Sequence, residues 1–383
     1  MMYVERKVGN DPSVIQHQLP GNIVARLKRQ ARSQYIAASL QRYRNTRPQG
    51  YERFSVDSSR YGAEAVRQIP LSDIVNLHWI AGFLDYRKFF RQSRRVVWTL
   101  HDMNPFTGGC HYDMGCSRYR SGCGVCPQLG SSRAVDLSQK VWRRKQRLFE
   151  TLDPEQLHLV VLNRWMQNEV TNSPLLSRFP VTIIPNGIDP YVFKPGNNRV
   201  AREFFGIRSD DKVVLFISDS VTNRRKGIDL LDQALDRLSH RRNTTLLTVG
   251  SNEPSLRSAL PHIHLGHVAN EQWLSQVYSA ADIVVIPSLQ DNFPNTVLES
   301  MACGTPVIGF EIGGIPDIVR HQSTGLLSEP GNIDGLQNNI VTLLDDDESR
   351  GRMSNYCREL VLQEYTQEIQ AAQYAALYNG MLI

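Results

Sequence analysis

The stretch Asp282–Val319 reads DIVVIPSLQDNFPNTVLESMACGTPVIGFEIGGIPDIV, and its reading decides the fold. Asp282 to Pro287 is an apolar run bounded by polar or breaking residues, the mark of a strand buried on both faces of a parallel sheet. A loop follows from Ser288 to Asn295. A helix is then expected from Thr296 to Cys303, stopped by Gly304 with Pro306 just beyond it. Val307–Phe310 predicts a second strand, and Gly313-Gly314 a tight turn before another helix.

This unit sets two acids around a helix start. Asp291 lies in the loop, and Glu299 comes eight residues later, one turn into the helix. Between them the backbone of Asn292, Phe293, Pro294, Asn295, Thr296 and Val297 opens the helix, where amide groups without partners attract anions. Either acid alone reads more simply as a loop residue or a solvated helix face. Two acids flanking an anion site suit a ligand with hydroxyls at both ends and phosphate in the middle, as in a nucleotide-diphosphate sugar.

The segment resembles the donor-binding signature of retaining glycosyltransferase family 4, the bacterial polysaccharide-type glycosyl transferases of group 1. The family pattern is Glu, seven residues, Glu, opening Glu-Gly-Phe. Here it opens Asp291-Asn292-Phe293-Pro294, so the first acid is one methylene shorter. The resemblance runs through nearly the whole chain. It implies an α/β protein of GT-B fold, with two Rossmann-like domains facing across a cleft. It also implies sugar hydroxyls on Asp291, ribose hydroxyls on Glu299, and the base against the backbone around His264, Gly266 and His267.

The rest of the chain fits two doubly wound halves. Ile74–Leu77, Val96–Leu100 and Leu159–Leu162 are short apolar runs separated by helical stretches such as Leu137–Leu152. The alternation restarts at Asp211, with strands expected at Val213–Ile217, Thr245–Val249 and Ile263–Leu265, and helices at Gly227–Leu238 and Asn270–Ala280. Asn186-Gly187 between Pro185 and Pro190 is a strong loop signal and marks the join. The expected domains are an acceptor domain over 1–186, a donor domain over 187–366, and a last helix within 367–383 that returns to the first half, as it does in GT-B proteins. Family members begin with a strand and a Gly-rich turn that is not found here. Met1–Val4 looks instead like their second strand, so either the first half is rearranged or the true start lies upstream.

His101-Asp102 ends the strand Val96–Leu100, where an open α/β sheet places its ligands. His101 resembles the family histidine that contacts the donor sugar near the reacting carbon. His78 ends the preceding strand and is a candidate for the acceptor pocket. Arg225-Lys226-Gly227 opens a helix, and two cations there oppose the helix dipole unless an anion joins them. A diphosphate is the natural partner. The family arginine five residues before this lysine is Val221 here, which leaves Arg225 or Arg224 to substitute. His101, Asp291 and Lys226 are the candidate catalytic residues.

Cys110, Cys116, Cys123 and Cys126 are spaced Cys-x5-Cys-x6-Cys-x2-Cys. Two readings stay open, a structural zinc site and four reduced thiols. No Walker loop, nucleophile elbow or Asp-x-Asp metal pair occurs, so no cofactor is expected in catalysis. The chain has 383 residues, a net charge of +5 and 41% hydrophobic residues, as a soluble globular protein does. The absence of a membrane-span run or signal pattern points to the cytoplasm. From Pro12 to Tyr51 there is no acidic residue but seven cations: Arg26, Lys28, Arg29, Arg32, Arg42, Arg44 and Arg47. They suggest contact with the inner face of an anionic membrane or a lipid-linked acceptor. No nucleic-acid-binding signature accompanies them.

The expected activity is transfer of a hexose, with retention, from a nucleotide-diphosphate sugar to a glycan or lipid-linked acceptor in polysaccharide biosynthesis. UDP is favoured over GDP from its frequency in the family. The alternatives are a GT-B phosphorylase or sugar-phosphate synthase, and a nucleotide-binding scaffold with little catalysis.

Overall fold

The computed structural model describes residues 1–7, 10–92, 94–241 and 243–382. The chain forms two compact units. The first comprises residues 1–161 and 167–183 with Leu382; the second comprises 162–166 and 184–381.

In the first unit, β1 (Met2–Val4) and β2 (Val14–Gln16) pair in parallel as a sheet of their own. Four further strands, β3 (Ile74–Leu77), β4 (Arg95–Leu100), β5 (Leu157–Val161) and β6 (Val181–Ile183), make a parallel sheet in the order β3-β4-β5-β6. The split into two sheets fits a Rossmann half that lacks its first strand. Trp98 on β4 is the largest fully buried side chain. Tyr86, Phe90 and Phe149 pack around it at ring distances of 5.3, 5.6 and 6.2 Å. Two of these contacts are edge-on and one is tilted, as aromatic quadrupoles prefer.

The second unit holds β7 (Lys212–Ser220), β8 (Thr244–Ser251), β9 (His262–His264), β10 (Ile283–Ile286), β11 (Val307–Phe310) and β12 (Gly325–Ser328), all parallel, in the order β12-β11-β10-β7-β8-β9. Residues of β7 alternate between two cores: Val213, Leu215 and Ile217 face one, Val214 and Phe216 the other. A strand with period 2 and apolar residues on both faces is buried on both. Read from β9, the order is that of a doubly wound fold, and it reverses between β7 and β10, the position where such sheets bind ligands.

The apolar runs read from sequence are all present: β4, β5, β7 and β8 are longer than expected by one to four residues, β3, β9 and β11 keep the expected length, and β10 is shorter. The helices fall at Leu137–Phe149, Ile228–Asp236, Glu271–Ala280 and Asn295–Ala302. The sequence did not reveal β6, β12 or the long helix Ile23–Gln41. The division between the units lies at Ile183–Ile184, just before the expected join. The segment after it pairs with the chain near its end, through Ile188 N to Tyr365 O at 2.8 Å and Gln367 N to Ile188 O at 3.1 Å. The helix Gln367–Leu382 that follows is grouped with the second unit except for Leu382, and Ile383 of the expected range lies outside the described residues.

Candidate active site

At the switch point, β7 runs into a short turn, Arg224–Lys226, and β10 into the loop Ser288–Pro294. Gly227 ends the turn at φ +76, and a Cβ there would lie 1.9 Å from Pro287 O, so glycine lets the two strand ends close together. Lys226 Nζ then reaches Asp291 Oδ2 at 2.6 Å, Arg225 Nη1 reaches the same oxygen at 3.3 Å, and the Ser288 hydroxyl donates to it at 3.2 Å. Arg225 also donates to Gln290 O at 2.7 Å and accepts from Leu289 N. Burial raises the Asp291 pKa, but Lys226 and then Arg225 outweigh it, and the carboxyl sits below its ordinary value. One carboxylate against two cations leaves a surplus positive charge at the switch point.

The helix Asn295–Ala302 opens beside this cluster. Its cap position is Pro294, which offers no side-chain acceptor to the first amides. Gly313 and Gly314 cradle the loop from the other side, each 1.9 Å at Cβ from the carbonyl of Asp291 or Asn292. Asn163 donates to both the carbonyl and side-chain oxygens of Asn292, at 2.6 and 2.8 Å. Asn295 accepts from Asn186 at 2.9 Å, Phe293 packs on Tyr365, and Thr296 and Val297 are half-buried and buried. Glu299 accepts from the Tyr278 hydroxyl at 2.7 Å. Burial raises its pKa, and this hydrogen bond opposes the rise. At the ends of β8 and β9, Thr248 bonds His262 and His264 at 2.8 and 2.9 Å, and Gly266 O accepts from Gly250 N. His267 follows Gly266 on the exposed surface.

In the first unit β3 and β4 are neighbours, so His78 and His101 leave adjacent strand ends and meet at 2.9 Å, Nδ1 to Nε2. One of the pair must donate and the other accept, so at least one ring is neutral at the shared contact. Burial, then the facing imidazole, lowers the His78 pKa to about 4, although part of the ring reaches solvent. Burial also lowers that of His101, against the pull of Asp102. Asp102 Oδ2 receives the Trp79 indole at 2.7 Å and His111 Nδ1 at 2.6 Å, while His111 Nε2 meets Ser55 Oγ at 2.9 Å. Trp79 is 58% exposed despite this anchor, so its ring is held rigidly in the open.

The sequence profile of the family Glycosyl transferases group 1 matches residues 211–346, which contain the whole switch-point cluster. Over this stretch the chain is related to the group 1 glycosyltransferases. An uncharacterized glycosyltransferase of Methanocaldococcus jannaschii is 28% identical over 59% of this chain and 60% of its own. The D-inositol 3-phosphate glycosyltransferase of Mycobacteroides abscessus is 37% identical over 38% of this chain and 35% of its own. The chain thus spans between 35% and 60% of the first curated relatives it matches. Among solved structures, sucrose-phosphate synthase from Thermosynechococcus elongatus superposes with TM-score 0.66 at 21% identity, over 98% of this chain and 85% of that one. Anabaena HepE with UDP-glucose gives 0.58 at 18%, over 80% and 79%. These likenesses give the fold, which is GT-B.

Of the candidate site residues read from sequence, the fold brings Arg225, Lys226 and Asp291 together, and likewise His78 and His101. Tyr278, Ser288, Asn163, Trp79, Asp102 and His111 were not foreseen as partners. Trp79 and Asp102 stand next to the two histidines in sequence, which was the available signal. Tyr278 and Asn163 have none, because their partners are distant in the chain. Among the described residues no group of three or more His, Cys, Asp or Glu side chains has a metal-holding arrangement, and no helix is long and apolar enough to cross a membrane.

Proposed function

We propose that this chain is a retaining hexosyltransferase, independent of metal, that moves a hexose from a nucleotide-diphosphate sugar to a glycan or lipid-linked acceptor in polysaccharide biosynthesis. The observation that carries the reading is the Lys226–Arg225–Asp291 cluster at the switch point, with Glu299 one turn into the adjoining helix. The surplus positive charge and the first helical amides suit a diphosphate, and a leaving diphosphate gains charge as the glycosidic bond breaks. Fixed cations there stabilise the transition state more than the ground state. The contacts of Asp291 converge on Oδ2, so Oδ1 serves a sugar hydroxyl; Glu299, oriented by Tyr278, serves the ribose. The anchored face of Trp79, beside the His78–His101 pair, offers a flat apolar platform on which an acceptor sugar ring can stack. UDP-sugars are the favoured donors, and the UDP-glucose and UDP complexes of Anabaena HepE support that choice by fold alone.

We place the protein in the cytoplasm, with the helix Ile23–Gln41 resting on the inner membrane leaflet. That helix exposes Ile23, Val24, Leu27 and Tyr35 alongside Arg26 and Lys28. The deciding experiment is a thermal-shift panel of nucleotide diphosphates and their sugars, followed by mass spectrometry of the best donor with glycan and lipid-linked acceptors. A bound donor and a glycosylated product are expected. Release of sugar phosphate in phosphate buffer would make the chain a phosphorylase, and binding without turnover on any acceptor would make it a scaffold.

A further inference from the structure

Cys110, Cys116, Cys123 and Cys126 line one cavity of about 20 Å³ with Asp113 and Arg118. That volume suits one ion and no organic cofactor. The loop that brings them there lies between β4 and the helix Leu137–Phe149, and it is shaped before any ion enters. Met114, Ser117, Cys123 and Val125 all hold positive φ, at 51, 54, 57 and 46°. This conformation is costly for side chains with a Cβ and clusters where function demands it. Backbone amides also face three of the sulfurs. The Arg118 N–H faces Cys116, the Gly108 N–H faces Cys123, and the Gln128 and Leu129 N–H groups both face Cys126. Burial favours the neutral thiols, and these amides, turned onto the sulfurs, oppose it.

An independent observation concerns charge. Lys145 is fully buried, and its ammonium donates only to the carbonyls of Asn104 and Thr107, at 2.5 and 3.0 Å, with the Tyr86 ring 5.3 Å away. The acids within electrostatic reach are Asp57, Cys110, Cys123 and Asp102. Asp57 is already held by Arg144, and Asp102 by Trp79 and His111. A buried cation without an ion-pair partner needs a counter-charge nearby, and the cysteines are the groups left to supply it.

We propose that these four cysteines bind one structural Zn²⁺. Each thiol gives its proton to solvent and forms a Zn–S bond, with no change of oxidation state. Zn²⁺ with four thiolates carries a net charge of −2, which Lys145 and Arg118 balance. Four thiolates complete the tetrahedron and leave no open position, so the ion does no chemistry. The sulfurs ring the cavity without forming a coordination sphere, and the ion draws them in by side-chain rotation. Its effect is to clamp the loop that carries His111, and through His111 the Asp102 that anchors Trp79.

The test is metal analysis of the full chain expressed with zinc and iron in the medium. About one zinc per chain is expected. Titration of the unaltered, folded protein with an organomercurial should release that zinc in step with these four thiols, and the Cys123→Ser/Cys126→Ser variant should purify without it. Cobalt substitution should show thiolate-to-metal charge transfer. Zinc-free protein whose four thiols react freely, recovery of these cysteines as disulfides, or iron in place of zinc would each overturn the proposal, whatever the variant does to folding.

Discussion

Glu299 and Tyr278 illustrate how a single residue's role depends on its neighbour. A hydroxyl 2.7 Å away favours the ionised acid that burial disfavours. Glu299→Ala should weaken binding of UDP about tenfold or more, since a charged hydrogen bond contributes roughly 1.5–3 kcal/mol. Calorimetric titration that finds UDP affinity intact would remove Glu299 from the ribose. The His78–His101 contact predicts a pH dependence. Folding lowers the pKa of both rings, that of His78 to about 4, so the fold favours their neutral forms while unfolded histidine still takes a proton near 6.5. This contribution to stability is complete above that ordinary value and is lost as pH falls from about 6.5 toward 4. The stability difference between the wild type and His78→Asn, from urea midpoints, should shrink over that range; a constant difference would clear the pair. Trp79→Ala should raise the acceptor KM several-fold while leaving slow hydrolysis of the donor unchanged, because water needs no stacking platform. Loss of both activities would mean that Trp79 serves folding through Asp102 instead.

At the scale of elements, the close approach of β7 and β10 rests on Gly227. Gly227→Ala would force a Cβ into Pro287 O in a left-handed backbone, and should cost roughly 1–3 kcal/mol from strained backbone and a similar amount from overpacking. Gly206 also has positive φ, at +68, but open space at its Cβ, so Gly206→Ala isolates the first cost. Urea unfolding of the two variants should rank Gly227→Ala as the less stable; equal losses would mean that the Pro287 contact yields easily. The strands around this approach were legible in sequence because both cores demand continuous apolar runs. β12 hides behind a glycine, in Gly325-Leu326-Leu327-Ser328, and β6 has three residues. The helix Ile23–Gln41 buries only Ala25, so it carries no apolar stripe to read. Within the site, the acids and cations could be named from the signature, but not paired. Lys226 and Asp291 are 65 positions apart, and only the sheet order places them side by side.

For the whole molecule, the seven cations near the N-terminus do not act together. Arg29 pairs with Glu64 at 3.2 Å, Arg32 donates to Tyr61 O, and Arg47 donates to Glu52 O. Arg26, Lys28, Arg42 and Arg44 remain exposed. About 1 kcal/mol each near an anionic leaflet gives reversible binding, helped by exposed Ile23, Val24 and Leu27 and weakened by salt. Co-sedimentation should favour anionic over neutral vesicles at low salt and fade at high salt; partition to neither, or equally to both, would leave the membrane out of the account. The placement of Asn163 bears on recombination. It lies in sequence within the first half, yet residues 162–166 are built into the second unit, where its amide holds the Asn292 loop and fits the space left by Gly314. A hybrid chain spliced at residue 184, with its second half taken from elsewhere, would separate that amide from the loop it holds. A working chimera must carry the five-residue graft 162–166 along with the half it serves.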